Sequence, residues 1–284
     1  MRSERPPFGS GNVRLAIATL AMSPVLAATY GSAVLARRKF VTEAEDALKR
    51  LGLSELVRGQ HVEARVLGTG KSNAVIAVTI GDRRLVVKKA LPFGTLMAWG
   101  ARHFGANYVY AASTNRLPRI AREAHALRFL DEHGIAVPRL VAARRDLIAI
   151  EWVDGEPCAR ELHGEGGVAL AGKVGILLHR IHALDVTLAD GHPGNMLVTP
   201  ERELVVFDLE FAEVGHSTPA RRGFDVAYCA VLMPTPAHRE AFLAGYGTRS
   251  DDELAEFDTA ERHLRRFKQL LEMERARWAP KTAR

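Results

Sequence analysis

Cysteine is scarce in this sequence, and its scarcity narrows the kinds of protein that the chain encodes. The 284 residues include two cysteines, Cys158 and Cys229, and neither has a partner at CxxC or CxxH spacing. A disulfide framework and a structural zinc site both need closely spaced ligands, so the sequence supports neither. The pattern favours a reducing compartment, and we expect a cytoplasmic protein.

Acidic residues are fewer than basic ones, and internal repeats and long low-complexity tracts are missing. The 39 lysines and arginines exceed the 33 aspartates and glutamates, which gives a net charge of +6. This excess favours anionic partners such as nucleotides or an anionic membrane surface, and we predict no specific nucleic-acid partner. The apolar share of 47% and the charged share of 25% are ordinary for a globular protein of one large domain or two lobes.

Charge is also missing from one long stretch near the N-terminus, from Leu15 to Ala36. A membrane-spanning helix needs about 20 apolar residues, and this stretch is long enough. It is rich in alanine, serine, threonine and glycine and contains Pro24, so its hydrophobicity is marginal. Two interpretations of this segment, residues 1–40, stay open: a membrane anchor through residues 15–36, and a buried or interfacial helix. A cleaved signal peptide conflicts with the nucleotide chemistry predicted below.

The period of the apolar residues then changes along the chain. Three short β-branched segments bounded by glycines, Val62 to Gly68, Asn73 to Gly81 and Arg83 to Ala90, predict strands. Helical spacing predicts a short helix over residues 43–58 and another over residues 118–133. The first half of the chain is therefore predicted to be rich in β-structure.

A clear chain break follows at Asp154–Pro157, and beyond it the pattern is mostly helical. Leu170, Val174, Leu177, Leu178 and Ile181 form the apolar stripe of one buried helix. We therefore predict an α+β fold with two lobes, residues 41–153 and residues 154–284.

A glycine-rich segment, "LGTGKS", lies between the first two predicted strands. A Walker loop needs a glycine where Arg65 stands and a helix next, whereas the following residues alternate like a strand. We interpret the segment as a hairpin in which the backbone amides around Gly68 and Gly70 close over phosphates. A plain hairpin turn is the alternative.

A lysine at the end of the third predicted strand needs an anion. Lys88 follows an apolar triplet and is predicted to bind a nucleotide phosphate, and Glu123 on the helix at 118–133 supplies a carboxylate that holds its ammonium group. Two alternatives stay open. Lys89 competes for the lysine role until the strand register is known, and Glu123 also fits a solvated acid at a helix start.

The densest polar stretch is "LADGHPGNMLV", which precedes a predicted hairpin of two short strands. The hairpin returns Asp208 to the side of Asn195, and amide and carboxylate oxygens of this kind suit Mg²⁺. Asp190 precedes this pair and is predicted to act on a substrate hydroxyl as a base or an orienting group. The alternative is that all three residues cap turns or end strands, and His192 is interpreted as structural.

Together these segments resemble the protein-kinase-like superfamily, in its atypical branch of aminoglycoside phosphotransferases, choline kinases and related small-molecule or lipid kinases. The nucleotide-covering loop of that branch is similar to "GTGKSNAV", its lysine strand to "LVVK" and its glutamate helix to "REAHALRFLDEHGIAVPRLV". Its catalytic loop resembles "LADGHPGNMLV", and its metal-binding segment resembles "VVFDLEFAEVG". The resemblance extends over roughly Val62 to Tyr246.

The resemblance implies further positions. The hinge that contacts adenine is similar to "IAIEWVDGEP", which implies nucleotide contacts at Glu151 and Val153. The helix that supports the catalytic loop is similar to "GFDVAYCAVL", which contains Asp225. Leu188 stands where the family usually has a histidine, and Glu210 makes the metal segment DLE and adds a carboxylate to it.

These features predict an ATP- and Mg²⁺-dependent kinase that transfers the γ-phosphoryl group to a hydroxyl of a small-molecule or lipid acceptor. The segment from Asp208 to Asp225 is too short for a long regulated activation loop. An atypical serine/threonine protein kinase and a nucleotide-binding pseudokinase without turnover are the alternatives. The basic C-terminal helix and residues 15–36 favour a partner at an anionic membrane surface.

Overall fold

The structure of the chain is a computed structural model that describes residues 35–36, 38–67, 73–91 and 118–278. The chain divides into two compact units. The first comprises Met1–Ala111 and Ala142–Ile150, and the second comprises Ala112–Val141 and Glu151–Arg284. Each unit is described separately below.

The first unit is built on an antiparallel sheet. Its described helices and strands are α1 Ala44–Arg50, α2 Ser54–Val57, β1 Val62–Val66, β2 Asn73–Ile80, β3 Arg83–Ala90, β4 Leu140–Ala143 and β5 Leu147–Glu151, with the ends of β4 and β5 assigned to the second unit. The five-stranded sheet has the order β1-β2-β3-β5-β4. β-Branched residues dominate its centre, and Ile76 and Val87, which pair across β2 and β3, are fully buried.

The predicted helix over residues 43–58 is wrong in one respect, because two short helices occupy this region. The helix α1 ends at Arg50, and α2 begins at Ser54. Gly52, with a φ of 83°, lies between them. A residue in the left-handed conformation ends an α-helix, and glycine adopts that conformation without steric cost.

The second unit is mostly helical. Its helices and strands are α3 Arg119–Glu132, β6 Glu156–Pro157, α4 Cys158–Glu161, α5 Gly167–Ala183, β7 Val186–Thr187, β8 Met196–Val198, β9 Leu204–Val206, β10 Glu213–Val214, α6 Pro219–Leu232, α7 Pro236–Tyr246 and α8 Asp251–Trp278. A three-stranded sheet has the order β6-β8-β9, and β7 pairs with β10.

Local sequence signals explain where two of these helices begin. Thr218 and Thr235 each accept a hydrogen bond from a backbone amide in the first turn of α6 and α7, and a proline follows each threonine. Such threonine caps followed by proline are typical helix starts. The predicted apolar stripe of α5 is confirmed, since all five of its residues are buried.

Close packing between α5 and α7 depends on glycine. A Cβ atom at Gly175 would lie 2.1 Å from the carbonyl oxygen of Phe242, and one at Gly245 would lie 2.1 Å from that of Gly172. The two helices therefore approach each other through backbone atoms, which fixes the position of Tyr246 at the end of α7 against α5.

The α+β prediction is confirmed, with an antiparallel sheet and helices in the described residues. The predicted helix over residues 118–133 is α3. The compact division assigns α3 to the second unit, whereas the sequence assigned it to the nucleotide lobe, so the lobe boundary near residue 153 stays a prediction. Most of the predicted segment 15–36 lies outside the described residues. Among the residues that are described, no helix is long and apolar enough to cross a membrane.

Candidate active site

The loop that contains Asp190 follows β7 and has an unusual backbone. Ala189 has a φ of 58°, a left-handed conformation that costs a non-glycine residue about 1–2 kcal/mol. The carboxylate of Asp225 on α6 accepts hydrogen bonds from the amides of Leu188 and Ala189, both at 2.7 Å. Asp225 is 1% exposed, so its two bonds hold the strained turn from inside the protein, as the resemblance implied.

Asn195 holds Asp190 from the other end of the loop. Its side-chain amide Nδ2 donates to the backbone oxygen of Asp190 at 2.8 Å and to the Oδ2 of Asp190 at 3.3 Å. These two bonds orient the Asp190 carboxylate. They also direct the amide oxygen Oδ1 of Asn195 away from Asp190, where it can coordinate a cation.

The predicted hairpin after the loop is present. Met196 pairs with Val206, and the amide of Phe207 donates to the carbonyl of Asn195 at 3.0 Å. The pairing brings Asp208, the next residue in the chain, to the end of the hairpin at which Asn195 lies. Asp208 has a φ of 61°, and this turn out of the strand direction ends the ladder.

Electrostatics set the protonation of Asp190. Burial, and then the negative charges of Asp208 and Glu210, raise the pKa of Asp190 to about 7. Hydrogen bonds from Asn195 and Tyr228 oppose this rise. A carboxyl group with a pKa near neutrality is suited to accept a proton from a substrate hydroxyl at physiological pH.

His192 has a structural role in the loop, as the sequence suggested. Its Nδ1 accepts a hydrogen bond from the amide of Gly194 at 3.0 Å, and burial lowers the pKa of its ring. A Cβ atom at Gly194 would lie 2.6 Å from this ring. The imidazole therefore closes a tight turn that requires glycine at position 194.

Tyr228 is a site residue that the sequence reasoning did not identify. It lies on α6, donates a hydrogen bond to the Asp190 carboxylate and contacts the His192 ring edge-on, with ring centroids 5.2 Å apart. Tyr228 follows Asp225 by three residues, and residues at this spacing share one face of a helix. That spacing is the sequence signal that could have indicated Tyr228.

Glu210 has a basic partner. Its carboxylate accepts a hydrogen bond from Arg119 on α3 at 3.2 Å, and both side chains are at most 10% exposed. Glu213, three residues later, pairs with Arg221. These pairs balance acidic charge beside Asp208, and the role of Glu210 in a metal site stays a prediction.

In the first unit the structure distinguishes the two lysines of β3. Lys88 pairs with Val75 and is 5% exposed. The side chain of Lys89 is 30% exposed, lies 3.9 Å from a carboxylate oxygen of Glu43 and stacks on the ring of Phe40. Lys88 is therefore the lysine that the strand buries, while Lys89 is engaged on the other face.

The other predicted nucleotide positions are less fully described. Gly68 and Gly70 lie outside the described residues. Glu123 is fully buried on α3, which argues against the solvated-acid alternative. It belongs to the second unit, whereas Lys88 belongs to the first, so a clamp between them stays a prediction. Glu151 ends β5 and forms an ion pair with Arg139.

The side chain of Glu151 is thus committed to protein. Trp152 donates from Nε1 to Asp154 at 2.9 Å, and these contacts fix the segment around Val153, which is partly exposed. The adenine contact at Glu151 and Val153 stays a prediction.

The donor set at the hairpin fits magnesium. In the residues that the structure describes, no group of three or more histidine, cysteine, aspartate or glutamate side chains is arranged to hold a metal ion. Magnesium does not need such a cage, because it usually takes one or two protein oxygens and completes its shell with water and substrate phosphates. Asn195 and Asp208 offer a set of this size, and the nearby negative charge that raises the pKa of Asp190 favours a cation.

Comparison with known proteins agrees with this chemistry. Residues 63–189 match the phosphotransferase enzyme family. The match ends one residue before Asp190. Over this part of the chain, the match confirms the predicted resemblance to phosphotransferases. No curated protein sequence matches the chain.

Two solved structures are similar at low identity. One is the Rio2 kinase–ADP/Mg²⁺–phosphoaspartate complex from Chaetomium thermophilum, with 15% identity and a TM-score of 0.48, covering 78% of this chain and 75% of that chain. The other is spectinomycin phosphotransferase, APH(9)-Ia, in complex with ADP and spectinomycin, with 12% identity and a TM-score of 0.48, covering 75% of this chain and 84% of that chain.

Proposed function

We propose that the protein is an ATP- and Mg²⁺-dependent kinase that transfers the γ-phosphoryl group to a hydroxyl of a small-molecule or lipid acceptor. The observation that carries the proposal is the loop around Asp190. Its carboxylate is oriented by Asn195 and Tyr228, and the hairpin directs Asp208 to the same end. This is an arrangement for positioning and for charge stabilisation, on which phosphoryl transfer mainly depends.

Asp190 is the residue that acts on the acceptor. Its carboxylate would accept the hydroxyl proton as the oxygen attacks the γ-phosphorus and ADP leaves. The two hydrogen bonds from Nδ2 of Asn195 and the bond from Tyr228 restrict the carboxylate to one orientation. A group held in one orientation reaches the reactive geometry without a further loss of freedom.

The remaining residues bind the nucleotide. Asn195 and Asp208 would hold Mg²⁺, which neutralises phosphate charge when it is bound. Lys88, held by Glu123, would bind the phosphates together with the backbone amides at Gly68 and Gly70, and Glu151 and Val153 would contact adenine. The burial of Lys88 supports this role, because a buried ammonium group requires an anionic neighbour.

A small acceptor is favoured over a protein acceptor by the segment that follows Asp208. This segment forms β10, which pairs with β7, and α6 begins at Pro219. In protein kinases a long activation loop occupies this position and binds the peptide substrate. The short segment found here is committed to structure, which leaves little backbone with which to dock a polypeptide.

Turnover measurements test the proposal. The full chain is assayed for ADP release from Mg-ATP with aminoglycosides, amino alcohols, diacylglycerol in mixed micelles and serine/threonine peptides, while calorimetry measures binding of a non-hydrolysable ATP analogue. Asp190→Asn is expected to bind nucleotide but to lose turnover by on the order of 1,000-fold. The matched control is Asp185→Asn, since Asp185 is an exposed aspartate with a φ of 59°, and it should keep wild-type turnover.

Each negative outcome of these measurements leads to a different conclusion. A wild-type chain that binds no nucleotide overturns the proposal entirely. Nucleotide binding without turnover on any acceptor supports a pseudokinase instead, and phosphorylation of the peptides alone supports an atypical protein kinase. Equal losses in Asp185→Asn and Asp190→Asn would show that the loop, rather than the Asp190 carboxylate, is what the substitution damages.

A further inference from the structure

A chain of buried polar side chains leads from the catalytic loop to the start of the last helix. Nε2 of His182 lies 3.2 Å from the Oδ2 of Asp225, and Nδ1 of His182 lies 2.7 Å from the hydroxyl of Tyr246. The oxygen of that hydroxyl also lies 3.2 Å from Oε1 of Glu253. His182, Asp225, Tyr246 and Glu253 are each at most 8% exposed, so the chain is shielded from solvent along its length.

The far end of this chain is firmly held. The carboxylate of Glu253, on α8, accepts hydrogen bonds from Nε of Arg222 at 2.9 Å and from the amide and hydroxyl of Ser250 at 3.2 Å and 3.1 Å. Burial opposes the charge of Glu253, but the bonds from Arg222 and Ser250 prevail and lower its pKa. Tyr246 is therefore anchored to a fixed charged pair rather than to a mobile group.

Proton counting shows what the Tyr246 hydroxyl does to His182. Nε2 faces the Asp225 carboxylate, which only accepts, so Nε2 must carry a proton. A neutral ring then accepts the tyrosine proton at Nδ1. A doubly protonated ring donates from Nδ1 and leaves the tyrosine proton to Glu253. In both cases the Tyr246 hydroxyl completes the bonding at Nδ1 and keeps the Nε2 proton directed at Asp225.

We propose that Tyr246 is a positioning residue for catalysis, since its hydroxyl fixes the orientation of His182 and thereby holds Asp225 against the backbone of the catalytic loop. The proposal rests on the proposed kinase function. Asp225 accepts bonds from Leu188, Ala189 and His182. Loss of the bond from His182 would remove one of the three bonds that hold the carboxylate and so loosen its orientation, and the left-handed turn at Ala189 depends on that carboxylate.

The phenylalanine variant removes the hydroxyl while it keeps the aromatic packing. Tyr246→Phe leaves Nδ1 of His182 without its partner, and the ring can then adopt the other tautomer or rotate. We expect kcat to fall by on the order of tenfold, because a small displacement of a catalytic group is costly, while KM for Mg-ATP stays unchanged. Glu253→Gln keeps an oxygen near Tyr246 but weakens the anchor, and it should have a smaller effect in the same direction.

The matched control is Phe242→Leu, one turn earlier on α7. Phe242 is fully buried and has no polar atom, so this change lowers stability without touching the polar chain. A second readout is independent of turnover. In protein labelled with ¹⁵N-histidine, the ring nitrogens of His182, assigned through His182→Gln, report which nitrogen carries the proton. Wild type should show a protonated Nε2, and Tyr246→Phe should show a mixture of tautomers.

These measurements separate the proposal from a general effect on stability and from the proposed function. A kcat of Tyr246→Phe equal to that of wild type overturns the proposal, as does an unchanged His182 spectrum. An equal fall in kcat for Phe242→Leu at the same loss of thermal stability also overturns it. If wild type has no turnover on any acceptor, the proposed function fails and the catalytic role fails with it, whereas the spectrum still reports whether the hydroxyl sets the tautomer.

Discussion

The two units differ in which residues adopt left-handed backbone conformations. In the part of the first unit that the structure describes, positive φ angles fall on glycines alone, at Gly52, Gly59 and Gly81. In the second unit they also fall on four residues that have side chains, within one stretch of the chain: Asp185, Ala189, Arg202 and Asp208.

This difference shows how each unit obtains its structure. The sheet of the first unit is stabilised by β-branched residues and glycine turns that agree with their local preferences. The loop of the second unit departs from local preference and is held by distant side chains, above all by Asp225, which is 36 residues from Ala189 along the chain. Backbone strain held by such long-range bonds is typical of functional sites.

The largest effect is expected where this long-range support is removed. Asp225→Ala leaves the amides of Leu188 and Ala189 and the ring of His182 without their acceptor, which should cost about 3 kcal/mol of unfolding free energy. Because the same bonds shape the catalytic loop, kcat should fall by on the order of 100-fold even below the unfolding temperature. Urea unfolding and Mg-ATP turnover measure the two effects.

Asp225→Asn is the graded control for this experiment. It retains one oxygen acceptor for the amides at Leu188 and Ala189, so its losses of stability and of kcat should lie between those of wild type and Asp225→Ala. Wild-type kcat in Asp225→Ala, despite lower stability, would mean that the loop keeps its shape by itself and that the contrast between the units has no bearing on catalysis.

A matched change in the first unit should affect stability rather than catalysis. Val87 is fully buried on β3, and Val87→Ala removes two methyl groups and a β-branched side chain at a cost of about 2 kcal/mol. At temperatures where the variant is folded, kcat should stay within about twofold of wild type. An exposed site on the same strand, Arg84→Ala, provides the control. A kcat loss as large as that of Asp225→Ala would contradict the distinction.

The same distinction explains how much could be predicted from the sequence. The strands and the hairpin that returns Asp208 towards Asn195 were predictable, because apolar period and turn residues act over a few positions. The choice between Lys88 and Lys89 was not, because adjacent residues face opposite sides of a strand and only the register decides between them. That register, Val75 opposite Lys88, depends on the turn at Gly81.

Long-range contacts lay beyond the reach of sequence patterns. The spacing of Tyr228 from Asp225 indicates the helix face that they share, but it does not encode the bond of Tyr228 to Asp190. The bond of His182 to Tyr246 likewise connects two different helices, and no periodicity encodes it. Asp225 was predicted through a resemblance to a known family, because its position in the sequence alone does not indicate which backbone amides donate hydrogen bonds to it. Glu210 was expected to add to a metal site, and its buried partner Arg119 was not foreseen.

A smaller effect follows from the raised pKa of Asp190. Its pKa is about 7 in the folded chain and 3.8 in its ordinary state, so the folded chain binds the proton more tightly than the unfolded chain does. Stability should therefore decline as the pH rises from about 4 through 7, and the loss is complete above the folded pKa. Asp190→Asn, which cannot ionise, should be more stable than wild type at pH 8 and no more stable at pH 4.

Thermal unfolding at both pH values, without Mg²⁺ or nucleotide, measures this difference. Asp185→Asn is again the control, because its carboxylate is exposed. An advantage of Asp190→Asn that is the same at pH 4 and pH 8 would show that ionisation is not its cause. Such a result would mean that ionisation of the Asp190 carboxylate does not lower the free energy of unfolding.

The smallest expected effect tests the strain itself. Ala189→Gly relieves the left-handed conformation, which stabilises the folded chain, but it also makes the unfolded chain more flexible. These two effects nearly cancel, so the free energy of unfolding should rise by about 0.5 kcal/mol. Ala230→Gly, at a buried position in the last turn of α6, should instead lose about 1 kcal/mol or more, because it relieves no left-handed conformation and also removes a packed methyl group. Chemical denaturation of both variants gives the comparison. If Ala189→Gly is as destabilising as Ala230→Gly, the bonds from Asp225 do not hold a strained turn, and the loop at Asp190 takes its shape from local preference like the sheet of the first unit.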